Sequence, residues 1–121
     1  MIKNVISFED FEEKVMQKLL EEKSAIFSIL RQQYEGAQIE SRYFSGKGFF
    51  TKFKISKAVP VPSNLKSFSF GNIVGQINGI NVGFVLFITD GKLDCLEGYT
   101  YGDPWPDKIT SYELRYADFN Q

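Results

Sequence analysis

Val82-Gly83-Phe84-Val85-Leu86-Phe87-Ile88-Thr89-Asp90-Gly91-Lys92-Leu93-Asp94-Cys95-Leu96-Glu97 is the stretch whose reading decides the fold. Asp90-Gly91 is the strongest short-range hairpin signal in the chain, because both residues tolerate the positive φ that a tight two-residue turn demands. The run before it, Val82 to Thr89, is almost wholly apolar and reads as a strand buried on both faces. Folded about Asp90-Gly91 with unbroken alternation, the two arms pair Ile88 with Leu93, Leu86 with Cys95 and Phe84 with Glu97 on one face. The other face then carries Phe87 with Asp94 and Val85 with Leu96. An antiparallel hairpin is therefore the nucleus from which the rest is read.

Upstream, period two continues. Ile39, Ser41 and Tyr43 alternate with Gln38, Glu40 and Arg42, and Phe49, Thr51, Phe53 and Ile55 alternate with Phe50, Lys52 and Lys54, about a turn at Gly46-Lys47-Gly48. A two-residue loop sets Arg42 and Glu40 beside Thr51 and Phe53 on the apolar face. A three-residue loop, with Gly48 at positive φ, sets Tyr43, Ser41 and Ile39 there and Glu40 opposite Lys54, and is the preferred register. Val59-Pro60-Val61-Pro62-Ser63-Asn64 is a connection, since proline cannot donate to a central ladder. A further strand is expected over 67–77, Asn78-Gly79 is a turn, and 109–116 is the last strand.

Before residue 37 the period is helical. Ser7 caps a helix, with Asp10 suited to its dipole, and Phe8, Phe11, Val15 and Leu19 form its apolar stripe. Glu12, Glu13, Lys14, Gln17 and Lys18 fall largely on the other side. Ser24 caps a second helical stretch ended by Gly36, so one kinked helix or two are both compatible. The expected fold is one α+β domain over 1–121. A helix or helix pair within 1–36 packs on a five- to six-stranded, mostly antiparallel sheet formed by 37–121.

Charge is segregated. Residues 1–40 hold five Lys/Arg against eight Asp/Glu, 41–89 hold six bases and no acid, and 90–121 hold three bases against seven acids. Either neighbouring strands neutralise one another, or one of these segments offers a charged face to a partner. The single cysteine, Cys95, cannot close a bridge within the chain, and the residues after Met1 contain no apolar leader core, so a cytoplasmic location is expected.

Chemistry is sparse. With no histidine, Ser-His-Asp and Cys-His pairs and most transition-metal sites are excluded. Gly46-Lys47-Gly48 joins two strands, whereas a phosphate loop must open a helix. The hairpin over 41–57 interleaves basic and aromatic residues, but those rings are read chiefly as core and the pI of about 5.5 opposes nucleic acid as a partner. No catalytic residue, cofactor or metal is expected.

Ser41-Arg42-Tyr43-Phe44-Ser45-Gly46-Lys47-Gly48-Phe49-Phe50-Thr51 resembles the S-R-x-[FY]-[ST]-G-x-G-F-F-T segment of a group of small uncharacterised bacterial proteins. Leu93 to Pro106 is similar to their L-x-x-L-E-x-[FY]-[TS]-Y-x-x-x-W-P signature, with the Gly83–Gly91 hairpin between. Small α+β proteins of this kind recur as immunity partners of bacterial toxins. The resemblance implies that function for this chain and no activity.

The expectation is thus a non-catalytic binding protein, an immunity-type partner that occludes a toxin. Asp94, Asp103, Trp105, Asp107 and Glu113 are the candidate partner contacts, and Trp105 should be largely packed, with its loop fixed by Pro104 and Pro106. The alternatives are a small-molecule site, with Glu97, Tyr99 and Tyr101 as pocket residues, and a structural subunit of a homo-oligomer.

Overall fold

Ser7 accepts a hydrogen bond from the Asp10 amide (3.1 Å) and Ser24 accepts one from the Phe27 amide (3.2 Å), so each serine starts its own helix. In the computed structural model, which describes residues 4–62 and 64–117, these are α1 (Phe8–Leu19) and α2 (Ala25–Glu35), two helices rather than one kinked one. Ser63 of the expected proline connection and the chain ends lie outside the described residues. Between the helices, Arg31 Nη1 donates to the carbonyls of Leu20 (2.5 Å) and Glu22 (2.8 Å). A cation is thereby placed on the orphan carbonyls at the end of α1.

Six strands follow: β1 (Gln38–Phe44), β2 (Gly48–Lys54), β3 (Phe68–Ile77), β4 (Ile80–Thr89), β5 (Lys92–Thr100) and β6 (Tyr112–Tyr116). They form one sheet in the order β1-β2-β5-β4-β3-β6, with every neighbouring pair antiparallel. The last strand is shorter than the 109–116 expected; Ile109 instead makes an isolated bridge to Ile6.

Both helices lie on one face. Phe11 packs against Phe84 and Tyr112, Phe27 against Phe70, and Tyr34 against Phe53. Val82, Phe84, Leu86 and Ile88 point into that interior, while Phe87 on the opposite face is 36% exposed. The expectation that β4 is buried on both faces is corrected accordingly. The strand alternates because helices cover one side of the sheet and the other side is open.

Two hairpin registers also differ from the sequence reading, one through a bulge and the other through loop length. In β4–β5, Ile88 does face Leu93, but Phe87 faces Cys95, Leu86 faces Leu96 and Val85 faces Glu97. Asp94 is an extra residue, a bulge, and beyond it every β5 side chain changes face. Leu96 is buried in the core and Glu97 moves to the open face, the reverse of the alternating expectation. In β1–β2 the two-residue loop wins: Arg42 faces Thr51 and Tyr43 faces Phe50, and Gly46, not Gly48, carries the positive φ (88°). A second bulge at Glu40 then returns Ile39 to Phe53's side and puts Gln38, not Glu40, opposite Lys54. Gly48 is needed for space, because a Cβ there would stand 2.1 Å from the Gly98 carbonyl oxygen. Not all the rings of this hairpin are core either. Phe49 and Phe53 are buried, whereas Tyr43, Phe44 and Phe50 are exposed.

Arg42 tolerates the inward face because Glu12 meets it. Glu12, expected among the outward residues of α1, is 3% exposed and accepts from Arg42 Nη2 (2.7 Å), Arg42 Nε (3.3 Å) and the Thr51 hydroxyl. Gln33 does the same work for α2. Fully buried, it donates to the carbonyls of Pro60 (3.1 Å) and Gly91 (2.9 Å) and accepts from the Leu93 amide (2.9 Å). One side chain thus ties α2, the proline connection and the Asp90-Gly91 turn together. No described helix is long and apolar enough to cross a membrane.

Candidate functional site

A cleft of about 730 Å³ lies between α1, the C-terminal half of α2 and the start of β1. Helix α1 presents acids at Glu9, Asp10, Glu12 and Glu13, a spacing that carries negative charge from the buried seam to the solvent edge. Glu21 and Glu35 bring the lining to six carboxylates against two guanidiniums, Arg31 and Arg42. Both cations are committed, Arg31 to backbone carbonyls and Arg42 to Glu12. Glu9, Asp10, Glu13 and Glu35 are exposed, and none of them is in an ion pair within 4.0 Å among the described residues.

The floor is apolar. Leu20 and Phe53 are buried there, Ile39 is 42% exposed at the rim, and the Tyr34 ring meets Phe53 edge-on at 6.0 Å. Burial pushes the Tyr34 phenol up to about 12, with the charges of Glu12 and Glu13 adding to the effect. Such a cleft can receive the apolar stem and cationic head of a lysine or arginine side chain, the stem against Phe53 and Ile39, the head among the carboxylates. No group of three or more His, Cys, Asp or Glu arranged to hold a metal ion occurs among the described residues.

The residues singled out from sequence fall elsewhere. Asp103 and Asp107 are exposed in the loop after β5, which is pinned to the β1–β2 turn by the Trp105 amide on the Gly46 carbonyl (2.7 Å). The Trp105 ring is packed as expected, 5.2 Å from Phe49. Asp94 lies toward the other end of β5, accepting from the Thr89 hydroxyl (2.7 Å), and Glu113 is on β6 at the far edge of the sheet. These acids do not form one patch. Glu97, Tyr99 and Tyr101 do fall in a row, on the open face of the sheet, with the Tyr99 and Tyr101 rings 5.6 Å apart and Tyr99 lying over Gly83. Burial, followed by the Tyr101 hydroxyl, raises the Tyr99 phenol.

Sequence reasoning passed over Glu9, Glu13, Tyr34 and Glu35. Their signal was present as the acid excess of residues 1–40, but only the turn from α2 into β1 brings Tyr34 and Glu35 against the acidic side of α1. The charge segregation itself is partly neutralised across segments, since Arg42 pairs with Glu12 and Lys52 with Glu40 (3.9 Å). No known protein family, curated protein or solved structure matches this chain.

Proposed function

We propose that this chain is a non-catalytic binding protein that neutralises a basic partner by occlusion, an immunity-type function, and that it seats a cationic segment of that partner in the cleft between α1, α2 and β1. The observation supporting this reading is the cleft: an apolar floor at Leu20 and Phe53, with Ile39 at the rim, beneath exposed Glu9, Glu13 and Glu35, which have no ion pair among the described residues. Opposed charges both accelerate encounter and fix register, which suits inhibition of a nucleic-acid-processing toxin whose own surface is basic.

The test uses a partner recovered from the native host by cross-linking at cleft positions and then purified. Glu9→Lys with Glu13→Lys should slow its association and flatten the salt dependence, while circular dichroism stays unchanged. Asp103→Lys with Asp107→Lys is the competing pair. If only that second pair weakens binding, the contact is the loop after β5; if neither does, the electrostatic reading fails.

A further inference from the structure

The two edges of the sheet are built differently. At one edge, β1 is interrupted by the bulge at Glu40, a device that spoils pairing with another strand. At the other, β6 pairs with β3 in unbroken register over Tyr112 to Tyr116 and contains no proline, bulge or lysine. Its sequence, Tyr112-Glu113-Leu114-Arg115-Tyr116, is complementary to itself when reversed. Centred on Leu114, an antiparallel copy sets Glu113 opposite Arg115 twice, Leu114 opposite Leu114, and Tyr112 opposite Tyr116 twice.

The backbone is in phase with that register. The Ala117 amide bonds the Asn72 carbonyl (2.8 Å) and the Asn78 amide bonds the Ser111 carbonyl (2.9 Å), so the odd-numbered residues of this strand turn their amides and carbonyls toward β3. The amides and carbonyls of Tyr112, Leu114 and Tyr116 therefore face outward. In the Leu114-centred register those are the groups that would bond across the edge, roughly six hydrogen bonds in all. The side chains agree as well. Glu113 and Arg115 project from the open face and Tyr112, Leu114 and Tyr116 from the helix face, and a two-fold axis normal to the sheet keeps each set on its own side. Neither Glu113 nor Arg115 is in an ion pair among the described residues. Tyr116, 47% exposed, is already held by the Glu21 carboxylate on its hydroxyl and by Lys18 Nζ 4.5 Å over its ring. The Tyr116 ring therefore has little freedom left for association to remove, and the ordering cost falls on Glu113 and Arg115.

We propose that β6 is the seat of a symmetric homodimer, in which two six-stranded sheets join edge to edge through Glu113–Arg115 and Leu114–Leu114 contacts. The proposal is independent of the cleft. A five-residue edge is smaller than a standard interface, so dissociation constants of about 10–500 µM are expected.

Sedimentation velocity on the full chain from about 10 µM to 1 mM tests it. Glu113→Arg or Arg115→Glu alone sets like charges opposite each other twice and should weaken the dimer about tenfold or more; the double exchange should restore it to within about threefold. On the unaltered protein, amide exchange at Leu114 should slow as concentration rises, while exchange at Arg115, bonded to β3 in either state, should not. A chain that stays monomeric throughout, single variants without effect, a double variant no tighter than the singles, or a Leu114 amide indifferent to concentration would each overturn the proposal.

Discussion

Arg42 on β1 and Glu12 on α1 form a two-point contact, Nη2 to Oε1 at 2.7 Å and Nε to Oε2 at 3.3 Å, at the boundary between the core and the acidic cleft. The Arg42 side chain is 24% exposed and that of Glu12 only 4%. The two residues are therefore not equivalent. Arg42→Ala strands a carboxylate in the interior and should cost about 2–3 kcal/mol, below the range for a fully buried pair because the arginine side is partly wet. Glu12→Gln keeps an acceptor for Thr51 and lets Arg42 turn to solvent, so it should cost about 1–2 kcal/mol. Replacing the whole cluster at once, Glu12→Leu with Arg42→Met and Thr51→Val, should fall within about 1 kcal/mol of the parent, because no buried polar group is then left without its partner. Urea unfolding of the three proteins checks the order, and an Arg42→Ala cost below that of Glu12→Gln contradicts it.

Gln33 holds three backbone groups from three parts of the fold without any charge. Its side chain satisfies the carbonyls of Pro60 and Gly91 and the amide of Leu93 from a fully buried position. Gln33→Leu leaves the buried Gly91 carbonyl and Leu93 amide without partners and should destabilise by about 2–4 kcal/mol, while the Pro60 carbonyl can turn to water. The loss should be local before it is global. Amide exchange at Leu93 is expected to accelerate more than exchange at Leu86, in the middle of β4, and equal acceleration would show that Gln33 does not specifically hold the turn.

Residues whose pattern is local were legible in the sequence. Ser7, Ser24 and Gly36 bracket the helices, and Asp90-Gly91 and Asn78-Gly79 sit at positive φ in their turns. What sequence could not give was set by single extra residues and by distant partners. The bulge at Asp94 reverses the faces of Leu96 and Glu97, and a bulge leaves no trace in a period-two reading; the face of Arg42 follows from the two-residue Gly46-Lys47 loop, one of the two loop lengths that the alternation allowed. Glu12 and Gln33 look like ordinary outward polar positions until Arg42 and the Gly91 turn arrive from far along the chain. The acidic cleft was illegible for the same reason, since its walls come from α1, α2 and β1 together.

Alkaline pH should expose the state of Tyr34. Its phenol is pushed up to about 12 from 10.0, first by burial and then by Glu12 and Glu13. Below pH 10 the phenol is protonated in the folded and unfolded chains alike, and its stabilising contribution is complete. Between pH 10 and 12 the unfolded chain ionises while the folded one resists, so stability falls as pH rises. Tyr34→Phe removes that part of the decline. Tyr116, also held up to about 12 by its hydrogen bond to Glu21, leaves a remainder. Urea midpoints between pH 9 and 11.5 should therefore fall less steeply for the variant, and identical slopes would refute the assignment.

Cys95 reports on the open face. The thiol is half-buried between Phe87 on β4 and Lys52 on β2, and burial, followed by the negative charges of Asp94 and Glu97, holds its pKa above the ordinary value. Since the thiolate is the reacting species, disulfide exchange with a chromogenic reagent at pH 8 should run about tenfold slower than with a free thiol. Asp94→Asn removes the nearer charge without changing the size of the side chain, and its amide oxygen can still accept from Thr89. The rate should rise, by about two- to fivefold, because a larger share of the thiol is then ionised. The same substitution should leave Glu97 on the open face, because the bulge that puts it there is a backbone feature and needs no carboxylate. A rate unchanged in Asp94→Asn would mean that burial alone restrains the thiol, and a rate already equal to that of a free thiol would mean that the β2–β5 face is more open than the fold requires.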